Sequence, residues 1–279
     1  MLVAEGTYEE AVNVTCADIT VRGVDRNNVV LEGNFELENG VRILETDGVV
    51  VENMTAQNYT GNGFFWTGVD GYRGSYLTAI RNGDYGVYGY GSINGVVEHS
   101  YGSGSPDAGV YIGQCGDCNA VVDDFTSEWN GIGYSGTNSS NVTIINSTFR
   151  HNRTGILPNA GSYEGCAPPV RNTIVGNLAH DNGNLETSAI GPAVDFPGVG
   201  ILISGSNNNV VERNRTTGNP LAGILVAPTP EFDPIGPIVE EPDPNCVEDS
   251  VPVSDEEIAE LPNPLVWRSA GNQVIDNVA

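Results

Sequence analysis

The chain contains no lysine. All 11 basic residues are arginine, set against 36 aspartates and glutamates, for a formal net charge of −25 over 279 residues. Nucleic acid and anionic membranes are bound mainly through Lys and Arg, so a field of this sign excludes both as ready partners. It also opposes a polyanionic polysaccharide unless a cation such as Ca²⁺ bridges the like charges. The plainest reading of the acidity is solubility, as in a salty habitat. Long apolar runs are missing too: no stretch approaches the roughly 18 residues of a membrane span. The opening "MLVAEGTYEEAV" lacks a basic segment followed by an apolar one, so no signal peptide is visible in this sequence. Charged residues are only 17% of the chain, while there are 36 glycines and 16 prolines, which speaks against a helical protein.

Cysteine is sparse and odd in number: Cys16, Cys115, Cys118, Cys166 and Cys246. At least one is left over from internal pairing. Cys115 and Cys118 form a "CGDC" with neither a second such motif nor a nearby histidine, so no complete four-ligand zinc site is visible. Cys166 and Cys246 both fall in proline-rich insertions, where a disulfide would pin two loops together, but spacing leaves pairing and free thiols equally open.

What the chain has in abundance is repetition. Steps of a small residue followed by apolar ones recur as "NGVRI", "NGFFW", "YGVYGY" and "AGVYIGQ", with Gly40, Gly63, Gly86 and Gly109 spaced 23 residues apart. The series continues through Gly131, Gly155, Gly200 and Gly223. Each period carries a second short strand such as "NGVVEHSYG", "NAVVDDFTS" or "NTIVGNLAH". Strand-like alternation punctuated by Asn and Gly, in units too short to bury themselves, is resolved by stacking coil on coil with parallel pairing. The expected fold is therefore all-β: a right-handed parallel β-helix (solenoid) with coils of about 23 residues, forming a single domain over 1–279. A leucine-rich repeat would need a Leu ladder and a helical side, and a propeller needs longer antiparallel repeats; neither pattern is present. Residues of about 160–197 and 228–270 break the period and are expected to loop out of the wall as two insertions. The final "GNQVIDNVA" resumes the strand pattern, and an uncapped last coil offers its edge for pairing.

"GTYEEAV", the 23-residue coils and above all "GSPDAGVYIGQC" resemble the secreted right-handed parallel β-helix repeat proteins of the pectin-lyase-like superfold. Within it the chain is most similar to bacterial and archaeal members with an "SDAGIYVGQ"-type segment. The resemblance covers most of the chain outside the two insertions and implies the fold and an extracellular or cell-surface location. It brings no catalytic set with it. The "DPHD" of alginate epimerases is missing, the Arg-plus-Lys pair of pectate lyases is impossible without lysine, and of the polygalacturonase motifs only a pair, Asp123-Asp124, is represented.

Candidate site residues follow from phase, because equal positions in stacked coils lie about 4.8 Å apart. One residue after each marker glycine stand Phe64, Val87, Val110, Ile132, Ile156, Ile201 and Ile224, an apolar column that must face inward. The next position then faces out and reads Phe65, Tyr88, Tyr111, Gly133, Leu157, Leu202 and Leu225. Phe65, Tyr88 and Tyr111, with Tyr90 close by, suit stacking on sugar rings; they equally suit packing under an insertion. Two residues before the glycines stand Asp84 and Asp107, followed by Trp129 and Arg153. Asp84 and Asp107 on adjacent coils could share a shifted proton, hold a Ca²⁺ ion, or divide the work of an acid and a nucleophile. The expectation is a polysaccharide-binding or carbohydrate-active protein: a lyase, epimerase or hydrolase if catalytic. Asp84, Asp107, His99 and Arg153 are the candidate catalytic groups, and Phe65, Tyr88, Tyr90, Tyr111 and Trp129 the candidate substrate contacts. No cofactor beyond Ca²⁺ is implied. The alternatives are a non-catalytic structural or adhesive surface module and a NosD-like periplasmic metal-handling role, against which stand only two methionines and three histidines.

Overall fold

The computed structural model describes residues 1–232, 234, 246 and 262–279. The backbone winds as a right-handed parallel β-helix, as the repeat predicts. Each full turn lays down three short strands, so the wall has three faces. The first two faces are fused into one 17-stranded sheet. The fusion is made by long strands at Val50–Gln57 and Asp70–Ile80, which run across the corner between them. The third face is a nine-stranded sheet, entirely parallel. Its successive strands include Phe64–Thr67, Tyr85–Tyr90, Ala108–Gly113, Ile132–Thr137, Thr154–Asn159 and Val199–Ser204.

Corners are made by single residues in the left-handed region. Between the first and second faces these are Asn53, Tyr76, His99, Asp124, Asn146, Gly176, Arg213 and Asp276, all with φ between 48° and 68°. Asn and Gly take this conformation cheaply. Tyr76 and His99 are held there because the ladders on either side fix the register. A second column of left-handed residues, among them Arg81, Trp129 and His151, follows the second face. Inside the turns, buried asparagines tie coil to coil: the Asn130 N–H donates to Asn152, Asn152 to Asn182, and Asn182 to Asn219, each through the side-chain Oδ1.

The bore is filled by stacked aliphatic residues such as Val51, Val97, Val122, Ile144, Ile174 and Val211, all essentially inaccessible to water. Marker glycines are required where turns approach most closely. A Cβ on Gly86 would lie 2.5 Å from the Gly109 carbonyl oxygen, and one on Gly155 2.3 Å from that of Gly200.

The register corrects one step of the expected series. Ala108 pairs with Ile132 and Val110 with Tyr134, so the glycine facing Gly109 is Gly133, not Gly131. The turn between them takes 24 residues rather than 23. Tyr134 is therefore the inward residue of that coil, and Ser135, not Gly133, stands in the outward column. Ile132 belongs to a second apolar cluster on the outside of the third sheet, with Ala108, Leu157, Val199 and Leu202.

That outer cluster explains the insertions. The stretch 160–197 is interrupted by two strands of the stack, Thr173–Val175 and Leu178–His180, leaving a loop on either side. The later loop contains a short 3-10 helix, Gly191–Val194, and places Ala193 and Phe196 on the outer cluster. Of the stretch 228–270, the segments Thr229–Glu231 and Leu265–Trp267 pair antiparallel; residues 233, 235–245 and 247–261 lie outside the described residues. A disulfide joins Cys166 to Cys246, another closes Cys115 on Cys118, and Cys16 is free and exposed. Among the described residues no helix is long and apolar enough to cross a membrane.

Candidate functional site

The outer face of the third sheet gathers most of the chemistry. Parallel pairing in exact register puts Arg42, Phe65, Tyr88 and Tyr111 in one column. The Phe65 and Tyr88 rings stack with centroids 5.0 Å apart and planes within 7°, and Tyr88 and Tyr111 at 4.8 Å and 15°. Tyr85 and Tyr90 flank Tyr88 at 4.7 and 5.7 Å. Offset stacking at such distances is favourable in itself. It produces a continuous aromatic strip.

Burial changes along the strip. Phe65 and Tyr88 are half-buried, whereas Tyr111 is 1% exposed and its hydroxyl donates to Glu164 Oε2 at 2.6 Å. Tyr111 is thus covered by the loop after Asn159, not open to solvent. The Tyr90 hydroxyl donates to Gln114 Oε1, and the same oxygen accepts the Gly165 N–H at 3.0 Å, fastening that loop to the strip.

Beside Tyr111 lies a cavity of about 440 Å³, lined by Tyr85, Asp107, Ser135, Thr137, Tyr163, Glu164, Gly191, Pro192 and Asp195. It shares Tyr163, Pro192 and Asp195 with a smaller one of about 130 Å³ whose lining includes Glu231. Asp107 is only 8% exposed. Its Oδ2 accepts from the Tyr85 hydroxyl at 2.9 Å, and its Oδ1 has no hydrogen-bond partner among the described residues. Burial pushes the Asp107 carboxyl up to about 7, against the pull of the Tyr85 hydrogen bond and with a further push from Asp84. Burial likewise raises Glu164 to about 8, with the Tyr111 hydrogen bond opposing and Asp107 adding to the rise. Tyr85 and Tyr111 are held well above the ordinary tyrosine value, first by burial and then by these carboxyls, so both remain donors. The site is therefore a pair of carboxyl groups, buried Asp107 and half-buried Glu164, each with its proton affinity raised and each oriented by a tyrosine, at the covered end of an aromatic strip.

A family model described as "Right handed beta helix region" matches residues 39–227, more than half of the chain. The chain belongs to the right-handed beta helix family. Comparison with curated proteins gave no match. Several solved structures are similar to this β-helix. They include the mannuronan C-5 epimerase AlgE4 A-module of Azotobacter vinelandii, at 13% identity and TM-score 0.50, over 81% of this chain and 82% of that one. The alginate lyase from Paenibacillus sp. str. FPU-7 follows at 14% and 0.53, over 81% and 89%. The catalytic domain of a GH87 alpha-1,3-glucanase, in complex with nigerose, gives 12% and 0.51. There the β-helix covers 81% of its own length but only 52% of the other chain. At these identities the likeness is one of fold.

The β-helix brings Phe65, Tyr88, Tyr90, Tyr111, Asp84 and Asp107 together, and separates the rest of the expected set. Asp84 is partly buried, its carboxyl raised by burial, and its backbone carbonyl accepts the Asp107 N–H at 3.2 Å. These two carboxylates find no third ligand: among the described residues no group of three or more His, Cys, Asp or Glu is placed to hold a metal ion. His99 occupies a corner between the first two faces, stacked on Tyr76 at 4.8 Å and hydrogen-bonded through Nδ1 to Asp124 at 2.7 Å. Trp129 is not in the Asp84–Asp107 column, where the 24-residue turn puts Gly131 instead; it stands at the other corner, 48% exposed and stacked on His151. Arg153 is in the column but spends its guanidinium on the carbonyls of Thr187 and Leu185, at 3.1 and 3.2 Å, holding down the later loop. Glu164, Asp195, Tyr85 and Tyr163 were not among the expected residues. Tyr85 adjoins a marker glycine and was open to the same phase reasoning; the other three sit in aperiodic loops.

Proposed function

We propose that this protein is carbohydrate-active, binding a polysaccharide along the outer face of the third sheet and presenting it to the carboxyl groups of the covered cavity. The carrying observation is the continuity of the strip Phe65–Tyr88–Tyr111 with a cavity holding Asp107 and Glu164. Flat apolar rings with polar tips match the faces and edges of sugars, and proton-retaining carboxyls are the usual instruments of glycosidic chemistry. The reading is supported by similar folds in an epimerase acting on mannuronan, an alginate lyase and a glucanase. The disulfides Cys115–Cys118 and Cys166–Cys246 support action outside the cytoplasm, since such bonds persist in oxidising compartments.

The test is retention on a panel of immobilised polysaccharides, comparing the protein with Tyr88→Ala. Tyr88 is half-buried and central to the strip, so its loss is expected to weaken retention about tenfold or more with the fold intact by thermal melting. Equal retention by both proteins would sink this reading of the strip.

A further inference from the structure

The charges around the cavity restrict what can enter it. Among the described residues three carboxyl groups line it, those of Asp107, Glu164 and Asp195, and no Arg or His does. Two arginines of this face stand apart from the cavity. Arg153 donates to two loop carbonyls, and Arg42 stands beyond Phe65, three turns from Tyr111, or about 14 Å at about 4.8 Å per turn. There is no lysine to compensate. A uronate or sulfate group in the cavity would find no cation among the described residues to offset its charge in a partly desolvated space, and it would hold Asp107 and Glu164 protonated, leaving the site without a base.

Elimination or C5 epimerisation of a uronate needs its carboxylate neutralised, so that the carbon-bound proton beside it can leave. A cation does this best, and among the described residues the cavity wall offers none. Hydrolysis has no such requirement. It needs a group that gives a proton to the glycosidic oxygen and one that takes a proton from water.

Resting on the polysaccharide reading above, we infer that the occupant of this cavity is an uncharged glycan, and that the aromatic strip delivers it for hydrolysis by the Glu164–Asp107 pair. Glu164, oriented by Tyr111, gives its proton to the glycosidic oxygen as the bond from that oxygen to the anomeric carbon breaks. Water forms the new bond to the anomeric carbon. Its proton passes to Asp107 in its ionised form, whose Oδ1 has no other partner among the described residues and whose Oδ2 is held by Tyr85. One water is consumed, and a proton returns from Asp107 to Glu164 through solvent.

The experiment incubates the full chain with two sets of polymers: uncharged glucans, xylan and mannan, and the uronate polymers alginate and polygalacturonate with and without Ca²⁺. Retention, new reducing ends and the absorbance of unsaturated uronate products are read together. The expected result is retention of, and reducing ends from, an uncharged polymer. Glu164→Gln should slow release about 100-fold or more with little change in retention, and Asp107→Asn should slow it comparably. Thermal melting establishes that both variants are folded. Retention or product with uronate polymers alone overturns the uncharged substrate and leaves the polysaccharide reading standing. Retention of an uncharged polymer without reducing ends supports the substrate class and overturns hydrolysis. No retention of any polymer overturns the polysaccharide reading and this inference with it.

Discussion

The outer face of the third sheet has two halves built from the same phase of the repeat. Toward the N-terminus the column reads Phe65 and Tyr88, half-buried. Toward the C-terminus it reads Leu157 and Leu202, fully buried beneath Ala193 and Phe196 of the later loop. Equal backbone geometry thus carries aromatic rings where water reaches them, and aliphatic side chains where a loop seals the face. Tyr111 stands at the seam, stacked on the open half and hydrogen-bonded to the loop over the covered half. The chemistry collects where the two regimes meet, because there a carboxyl can be buried and still be reached.

The largest expected effect separates the halves by pH. Asp107 and Glu164 are held at about 7 and about 8 in the folded protein, above their ordinary values, so the native state binds protons more tightly than the unfolded chain. Their contribution to stability is complete below about pH 4 and is lost as pH rises through about 7 and then about 8. At about 1.4 kcal/mol for each pH unit between ordinary and folded values, the seam costs several kcal/mol on going from acid to mildly alkaline conditions. Denaturant titrations at stepped pH should show this decline, and the double variant Asp107→Asn with Glu164→Gln should flatten it. A slope unchanged in the double variant would mean that these carboxyls ionise freely and that the seam is wet.

A smaller effect tests the covered half directly. Leu202→Ala removes a fully buried side chain from a cluster that the loop closes over, and should cost about 2–5 kcal/mol in denaturant unfolding. A loss under about 1 kcal/mol would show that the loop collapses into the gap, and that its packing on the sheet is adaptable.

The same contrast accounts for what could be read from the sequence. The β-helix was legible because the glycine spacing, the paired short strands and the Asn-rich corners all repeat. The stack of Phe65, Tyr88 and Tyr111 was legible because outward phase follows from the inward apolar column. "NGIGYSG" defeated the count because it offers two glycines, Gly131 and Gly133, and only the pairing of Ala108 with Ile132 decides between them. That single turn moved Trp129 out of the carboxylate column and Ile132 out of the bore. The place of His99 had no phase to read: the corner slot filled by Asn53 and Asn146 also accepts Tyr76 and His99, so residue type does not mark it. Glu164 and Asp195 belong to loops without a period. Their positions are set by the Cys166–Cys246 disulfide, the Gln114 anchor and the burial of Ala193 and Phe196, none of which has a phase to read.

The smallest expected effect on stability lies in the open half, and it sharpens the comparison most. Phe65 occupies the same column as Leu202 but keeps part of its ring in water and borders Arg42 rather than a loop. Phe65→Ala should therefore cost about 1 kcal/mol, mostly the lost stacking on Tyr88 and some area, well below the cost of Leu202→Ala. If the open half exists for binding, the order reverses in a retention assay. Phe65→Ala should then weaken glycan retention several-fold, while Leu202→Ala, measured well below its melting temperature, leaves it close to that of the unmodified protein. The two substitutions cross only if one column serves two purposes. Parallel losses of stability and retention in both variants would mean that the aromatic rings are wall rather than surface.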